Sequence, residues 1–337
     1  NVKWTKNSNN RTMMKNMFNL NRLKSTEMLD DITSYISDVY NQSYQMYTPA
    51  SPWGQILTVI VYLAQMMFFY IEDSITELFM TTATRPESIR GLARLTGHNT
   101  FRAVAANGTI YISHNGVYPQ MTGTVVRIPN FTKLKCTDNG LDYIMVLGSD
   151  DIKIDLKGNR EKIFIKIAQG KLESQIFTGT GLPVQSFECS VASGIYIDHY
   201  FVNVYVNDEK WKPYDSFQDM PKDAKACLIK TGIGGGIDVY FGNGNFGAIP
   251  DSGAIIKIEY LTTFGSTGNI RETTGINYEF SDVGSDTDGN DINLNDIFNI
   301  ALATPISFGS DPEPTYLTRL LAPNMSRSFV LANTSNY

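Results

Sequence analysis

Residues 238–260, DVYFGNGNFGAIPDSGAIIKIEY, contain Gly242-Asn-Gly244-Asn-Phe-Gly247, a literal G-x-G-x-x-G. That spacing cradles a dinucleotide's phosphates when a strand precedes it and a helix opens at its last glycine. Here a strand-like run precedes it, but Gly247 leads into a stretch where Pro250 and Gly253 forbid a helix and a second strand follows. The pattern therefore predicts a structural turn at Gly242, Gly244, Gly247, Pro250 and Gly253, a hairpin whose glycines supply positive φ. No nucleotide cofactor is expected there.

The other residues with chemical potential fare no better. SDVGSDTDGNDINLND (281–296) suggests a calcium loop, but with Gly289 at the sixth position the first becomes Gly284 and the twelfth Asn295. Both ligand-bearing ends are lost, so a solvated loop is expected. The three histidines, His98, His114 and His199, show no metal-ligand spacing. Asp198 and His199 are neighbours on a predicted strand and point to opposite faces, so they form no dyad with each other. The three cysteines, Cys136, Cys189 and Cys227, lie far apart without a C-x-x-C, which predicts buried thiols. No G-x-S-x-G and no glycosidase-like carboxylate pair is present. The sequence thus predicts no catalytic residue, no metal site and no cofactor.

The elements that carry these residues fall into a helical and a β-rich part. In STEMLDDITSYISDVYNQSY, Leu29, Ile32, Ile36, Val39 and Tyr40 form one apolar stripe after a candidate N-cap at Ser25, and Thr48–Pro52 breaks the run. A second helix starts with Ser51 as N-cap and Pro52 at its first position and continues to residue 81. Its stretch Ile56–Ile71 is apolar nearly all round. A membrane span is one reading, but about 16 apolar residues fall short of the ~20 needed. Gln55, Thr58 and Gln65 also interrupt the run, and Glu72 and Asp73 follow it. A central helix covered by several neighbours fits better. A third helix, TRPESIRGLARLTG, carries a capping box at Thr84 and Glu87 and a stop at Gly97. Arg85 before Pro86 is biased away from the α conformation, which makes 81–88 the expected place for a change of direction.

From residue 101, short β-branched and aromatic runs split by Gly, Asn, Asp and Pro predict an antiparallel β region. DINLNDIFNIALATPI (291–306) is read as a return to helix. SDPEPTYLTRLLAP (310–323) is read as a helix capped by Ser310 or Asp311, opened by Pro312 and ended at Ala322-Pro323. The fold class is therefore α+β: an N-terminal long-helix bundle segment, a mostly antiparallel β region and a short C-terminal helix. The expected division is a basic arm (1–24), bundle helices (25–82), a connecting helix (83–100), a β-rich domain (101–275), and an acidic loop with a returning helix (276–337). Charge is uneven. The chain carries −6 in all, but Lys3, Lys6, Arg11, Lys15, Arg22 and Lys24 meet no acid within residues 1–24, so the remainder sums to −12. Without aromatic interleaving, that arm is not expected to bind nucleic acid directly.

The order of segments carries more than any single residue. ATRPESIRGLARLTGHN, GTVVRIPNFTKLKCTDNGLDYIMV, KIAQGKLESQIFTGTGLPVQSFEC and YFVNVYVNDEKW come first. DVYFGNGNFGAIPDSGAIIKIEYLTTFGSTGN and SFGSDPEPTYLTRLLAP…RSFVLANTSNY follow. Over roughly 84–337 this series resembles the baseplate J-like family, the baseplate wedge subunits of contractile phage tails. It departs where Phe308 stands for a common second Gly and where Asn336-Tyr337 replaces Asp-Tyr. The resemblance implies a non-enzymatic virion protein of the tail baseplate, assembled in the host bacterial cytoplasm. It also implies a C-terminal domain absent from this chain. Its implied partners are other wedge subunits, a second copy of itself, and hub or sheath-proximal proteins. The implied function couples host recognition to tail activation and DNA delivery, with N-terminal helices forming a shared bundle of two copies and a third, related chain. On that reading Leu29, Ile32, Ile36, Ile56, Ile60, Leu63 and Met67 form the assembly interface, and no membrane is spanned. A membrane-associated protein anchored by 56–71 and a tail-associated glycan-binding module stand as alternatives.

Overall fold

A computed structural model describes residues 25–40, 51–117, 123–148, 151–157, 162–271 and 277–334. The basic arm, the break at 48–50 and the terminal Asn336-Tyr337 lie outside the described residues. The chain divides into two compact units, residues 1–92 and 93–337.

In the first unit, α1 (Ser25–Tyr40) touches α2 (Pro52–Thr76), and α3 (Pro86–Leu95) runs across the division. Helix α1 includes Ser25 rather than starting after it. Ser51 caps α2 as expected, its Oγ accepting the Gly54 N–H at 3.0 Å with Pro52 at the first position. The expected helix to residue 81 stops at Thr76. Residues 77–82 fold back as turns in which the Ala83 N–H reaches the Phe79 carbonyl at 2.8 Å. The capping box at Thr84 and Glu87 does not form. The Thr84 hydroxyl donates to Glu77 Oε1 at 2.7 Å, and Glu87 faces Arg90 at 3.6 Å. The end of α3 matches expectation: Gly97 at φ 83 lets His98 N–H reach the Ala93 carbonyl and Gly97 N–H the Arg94 carbonyl, a Schellman motif. The expected N-terminal bundle is not built by this chain alone. Among the described residues α2 is covered by no group of neighbouring helices, and only Gly54 and Val61 along it are buried.

The second unit is β-rich. Its strands begin with β1 (Asn107–His114), β2 (Val125–Ile128), β3 (Lys133–Cys136), β4 (Asp142–Val146), β5 (Ile152–Asp155) and β6 (Ile163–Gln169). They continue with β7 (Lys171–Thr178), β8 (Ser186–Cys189), β9 (Tyr196–Val206), β10 (Glu209–Tyr214), β11 (Ala226–Thr231) and β12 (Ile237–Phe241). The last are β13 (Ile255–Thr263), β14 (Tyr278–Phe280), β15 (Gly284–Ser285), β16 (Asp291–Ile292) and β17 (Phe298–Leu302), before helix α4 (Thr315–Thr334).

A six-stranded sheet, β14-β3-β4-β6-β1-β17, faces a four-stranded one, β16-β15-β2-β5. Between them lies one core, with Ile110, Ile112, Tyr143 and Ile167 from the first sheet and Val126, Ile128 and Ile154 from the second. Strands on both sides of residue 275 share these sheets. The remaining strands form a seven-stranded sheet, β7-β13-β9-β10-β11-β12-β8, around Trp211, Phe241, Ile258 and Tyr260. Its edge strands meet through side chains: the Phe177 and Phe187 rings lie 5.1 Å apart and Gln175 Nε2 donates to the Ser190 carbonyl at 3.2 Å. Among the described residues all strand pairings are antiparallel except β10 with β11. Ala105, Ile144 and Leu261 join the two β bodies.

Two expected helices are corrected. Residues 291–306 form β16, a single tight turn and β17, with Phe298 opposite His114 and Leu302 opposite Ile110. A four-residue spacing satisfies a strand's period of two as well as a helical face, and both residues point into the core. Helix α4 begins at Thr315, not Pro312, and runs through Pro323 rather than ending there. Asp311 and Glu313 are drawn away before the helix starts, Asp311 to Ser266 and Glu313 to His98.

Candidate assembly surface

Helix α2 carries two apolar stripes. Gly54, Leu57, Val61, Ala64 and Phe68 are buried or half-buried. Ile56, Ile60, Leu63 and Met67, the residues predicted for assembly, are exposed, as are Trp53, Val59, Phe69 and Tyr70. Of the predicted residues on α1, Leu29 and Ile32 are half-buried; the side chain of Ile36 lies outside the described residues. Covering so much apolar surface is favourable at about 25 cal/mol per Å², so water is a poor final environment for this face.

By length and composition α2 can cross a membrane: its 25 residues span about 37 Å at 1.5 Å each. The helix is longer than the expected apolar run of about 16 residues, because Pro52 to Gln55 precede that run and Glu72 to Thr76 continue the helix beyond it. What remains against a span is Gln55, Thr58, Gln65, Glu72 and Asp73 within the helix.

The turn after α2 is tied by one carboxylate. Glu77 accepts from the Thr84 backbone N–H at 2.8 Å, the Thr84 hydroxyl at 2.7 Å and the Arg85 N–H at 3.2 Å. Its carboxyl is pulled down to about 2 by the Ser88 hydroxyl first, then by these Thr84 and Arg85 donors. It thus takes over the N-terminal acceptor role expected of Thr84. Arg85 adds an ion pair to Asp73 at 2.5 Å.

The glycine segment is not a hairpin, because β12 and β13 are not neighbours in their sheet; residues 242–254 link them and bond to the 179–185 and 221–224 loops. Gly244, Gly247 and Gly253 have positive φ as expected. Gly242 does not; a Cβ there would come within 2.2 Å of the Phe246 carbonyl, so close approach excludes a side chain. The loop's amides are already used. Asn243 N–H and Gly244 N–H donate to the Phe246 and Gly247 carbonyls, and Asn245 and Phe246 donate to Asn243 Oδ1. Gly247 and Ala248 donate to the Pro221 and Ala224 carbonyls. Pro250 is buried, and its carbonyl accepts from Gln185 Nε2 at 2.9 Å. A phosphate would find no free N–H from residue 243 to 248.

Asp198 is buried and accepts from the Ala105, Tyr200 and Phe201 N–H groups, while His199 stacks on Phe101 at 3.9 Å. Burial first, then Arg102, lowers the His199 pKa. Sequence reasoning missed a buried contact between His98 Nε2 and Glu313 Oε1 at 2.8 Å, across 215 positions, with Glu313 Oε2 accepting the Phe101 N–H. Nothing local announces a partner so distant. All three thiols are buried, and burial pushes Cys189 and Cys227 up to about 12, so their thiolates are suppressed. In the acidic loop, Asp286 is spent on the Asp288 and Asn290 N–H groups and the Asn290 amide. Among the described residues no three His, Cys, Asp or Glu side chains converge on a metal position.

Neither family models nor curated proteins match this chain.

Proposed function

We propose that this chain is a structural subunit of a contractile-tail baseplate wedge, whose N-terminal helices complete a bundle with a second copy and a third wedge chain. In that role it couples host recognition to tail activation and DNA delivery. The observation that carries the proposal is α2: a capped helix with one stripe against its own unit and a second, Ile56-Ile60-Leu63-Met67, left bare. The segment order over 84–337, and a β unit whose candidate chemistry is consumed by its own backbone, agree with a building block. The test is to tag the full chain in the phage that carries it and image purified tails. Density for the tag at the baseplate is expected; its absence from the particle overturns the proposal.

A second reading is favoured by the same helix: α2 is long and apolar enough to enter a bilayer. Flotation of the full chain with phosphatidylglycerol vesicles, lost on Ile60→Asp with Leu63→Asp, would select that reading.

A further inference from the structure

A cavity of about 760 Å³ opens in the β unit between the outer face of β4, β6 and β1, the start of β9, and the segment 304–308. Its wall is mainly apolar, with Val146, Ala168 and Phe201 inside and Tyr200 and Phe308 on the rim. The size suits a ligand-binding cleft.

Phe308 makes this more than a packing gap. Its φ of 66 lies in the left-handed region that favours glycine, yet it presents a phenyl ring that is 78% exposed. The conformation is enforced from both sides. Ser307 and Asn107 exchange two backbone hydrogen bonds at 2.9 Å, and Asn269 clamps Gly309 through its N–H and its carbonyl. A Cβ at Gly309 would lie 2.5 Å from the Gly265 carbonyl, so the backbone beside Phe308 is packed directly against its neighbour. The ring gains little burial in return. A strained backbone that holds an aromatic side chain in solvent over a cleft is the kind of outlier from which a functional contact is argued.

The cleft also selects by charge. Lys166 is an exposed cation in its lining and has no ion pair among the described residues. The lining carboxylate, Asp198, has both oxygens engaged by backbone N–H groups. The other polar side chains of the lining, Asn107, Thr109, Thr304 and Ser307, are uncharged, so with Asp198 engaged the one free charge a ligand meets there, among the described residues, is the Lys166 ammonium. We infer that this cleft binds an extended peptide segment of a partner protein carrying an aromatic or aliphatic side chain beside a carboxylate. The apolar side chain enters between Tyr200, Phe201 and Phe308, and the carboxylate pairs with Lys166. This inference stands apart from the bundle proposed for α2.

The test uses the full chain and an array of decapeptides with one Phe, Tyr, Trp or Leu flanked by Asp or Glu, beside a matched array with Lys in place of the acids. Fluorescence polarisation on the best acidic peptide should show at least tenfold tighter binding than its basic counterpart. Phe308→Gly should weaken it at least tenfold without lowering the thermal midpoint, and Lys166→Glu should reverse the preference between the arrays. Tyr200→Ala, at a side chain 73% exposed, gives an independent check on the rim and should also weaken binding. The inference is overturned if the acidic peptides bind no better than the basic ones, or if Phe308→Gly and Tyr200→Ala leave affinity unchanged. It is equally overturned if the Phe308-dependent ligand is found on a glycan array or a lipid vesicle.

Discussion

Ile60 and Val61 are adjacent in sequence and should fail in opposite ways. Val61 is 2% exposed, whereas Ile60 and Leu63 are 56% and 54% exposed. Replacing Ile60 and Leu63 by Asp changes a solvent face in the isolated chain, where such substitutions stay within about 0.5 kcal/mol beyond a few tenths for helix propensity. In an assembled bundle each side chain has about half its burial still to gain, roughly 1 kcal/mol apiece. An uncompensated aspartate in the bundle core adds about 3 kcal/mol or more. With two aspartates, the double variant should therefore weaken assembly by roughly 8 kcal/mol, over five decades in affinity at about 1.4 kcal/mol per decade. Val61→Ala should instead cost the chain's own stability about 2 kcal/mol, two methyl groups plus a cavity. Thermal unfolding of the isolated chain and co-purification with tagged tails separate the two. If the double variant enters tails at the normal level, or if it unfolds the isolated chain while Val61→Ala does not, the assignment of the two stripes is wrong.

Three further outcomes follow from the same geometry. Glu313→Ala should destabilise the β unit by about 1–3 kcal/mol in denaturant unfolding, because it leaves a largely buried His98 Nε2 without its partner. Gly242→Ala should destabilise more than Gly244→Ala although only Gly244 has positive φ, since the new Cβ at 242 meets backbone at 2.2 Å; calorimetry should show no micromolar binding of NAD or ATP by either variant or the parent. Glu77 should titrate near 2 by carboxyl NMR rather than at the usual 4.5. Its folded pKa is lowered, so its contribution to stability is present above 4.5 and is lost as pH falls toward 2, and Ser88→Ala should raise that midpoint.

How much was legible depended on whether a signal was local. Ser51-Pro52 and Gly97 are caps that act within a few residues, and both stand where the sequence puts them. The β runs around Ile110, Ile144, Ile165, Val204, Val239 and Ile258 announced themselves by composition, and each is a strand. Failures came where an outcome rested on distant partners. Phe298 and Leu302 fit a helical face equally well, and only the ladder to β1, nearly two hundred positions earlier in the chain, selects a strand. Thr84 had the right type for a cap but lost that role to Glu77, which reaches it across a turn that the helical pattern concealed. The bare stripe of α2 was legible as apolar, and its exposure was not, because covering depends on which neighbours the chain itself supplies.

The segment 81–88 shows why local preference and observed geometry can both hold. Arg85 precedes Pro86, and α3 does start at Pro86, so no continuous helix runs from α2 into α3. A break of this kind invites the view that the segment bends freely. Its groups say otherwise. Glu77 holds donors from Thr84, Arg85 and Ser88 at once, and Asp73 holds the Arg85 guanidinium. Each contact is exposed and weak by itself. They converge on the last turn of α2 and the first turn of α3, so a change of direction must release them together and leave α3 without its N-terminal acceptor. Contacts that share one carboxylate are coupled, so the resistance to bending comes from the set and not from any single bond. Glu77 is therefore the residue whose loss should loosen the joint most, because among the described residues three donate to it and only one to Asp73.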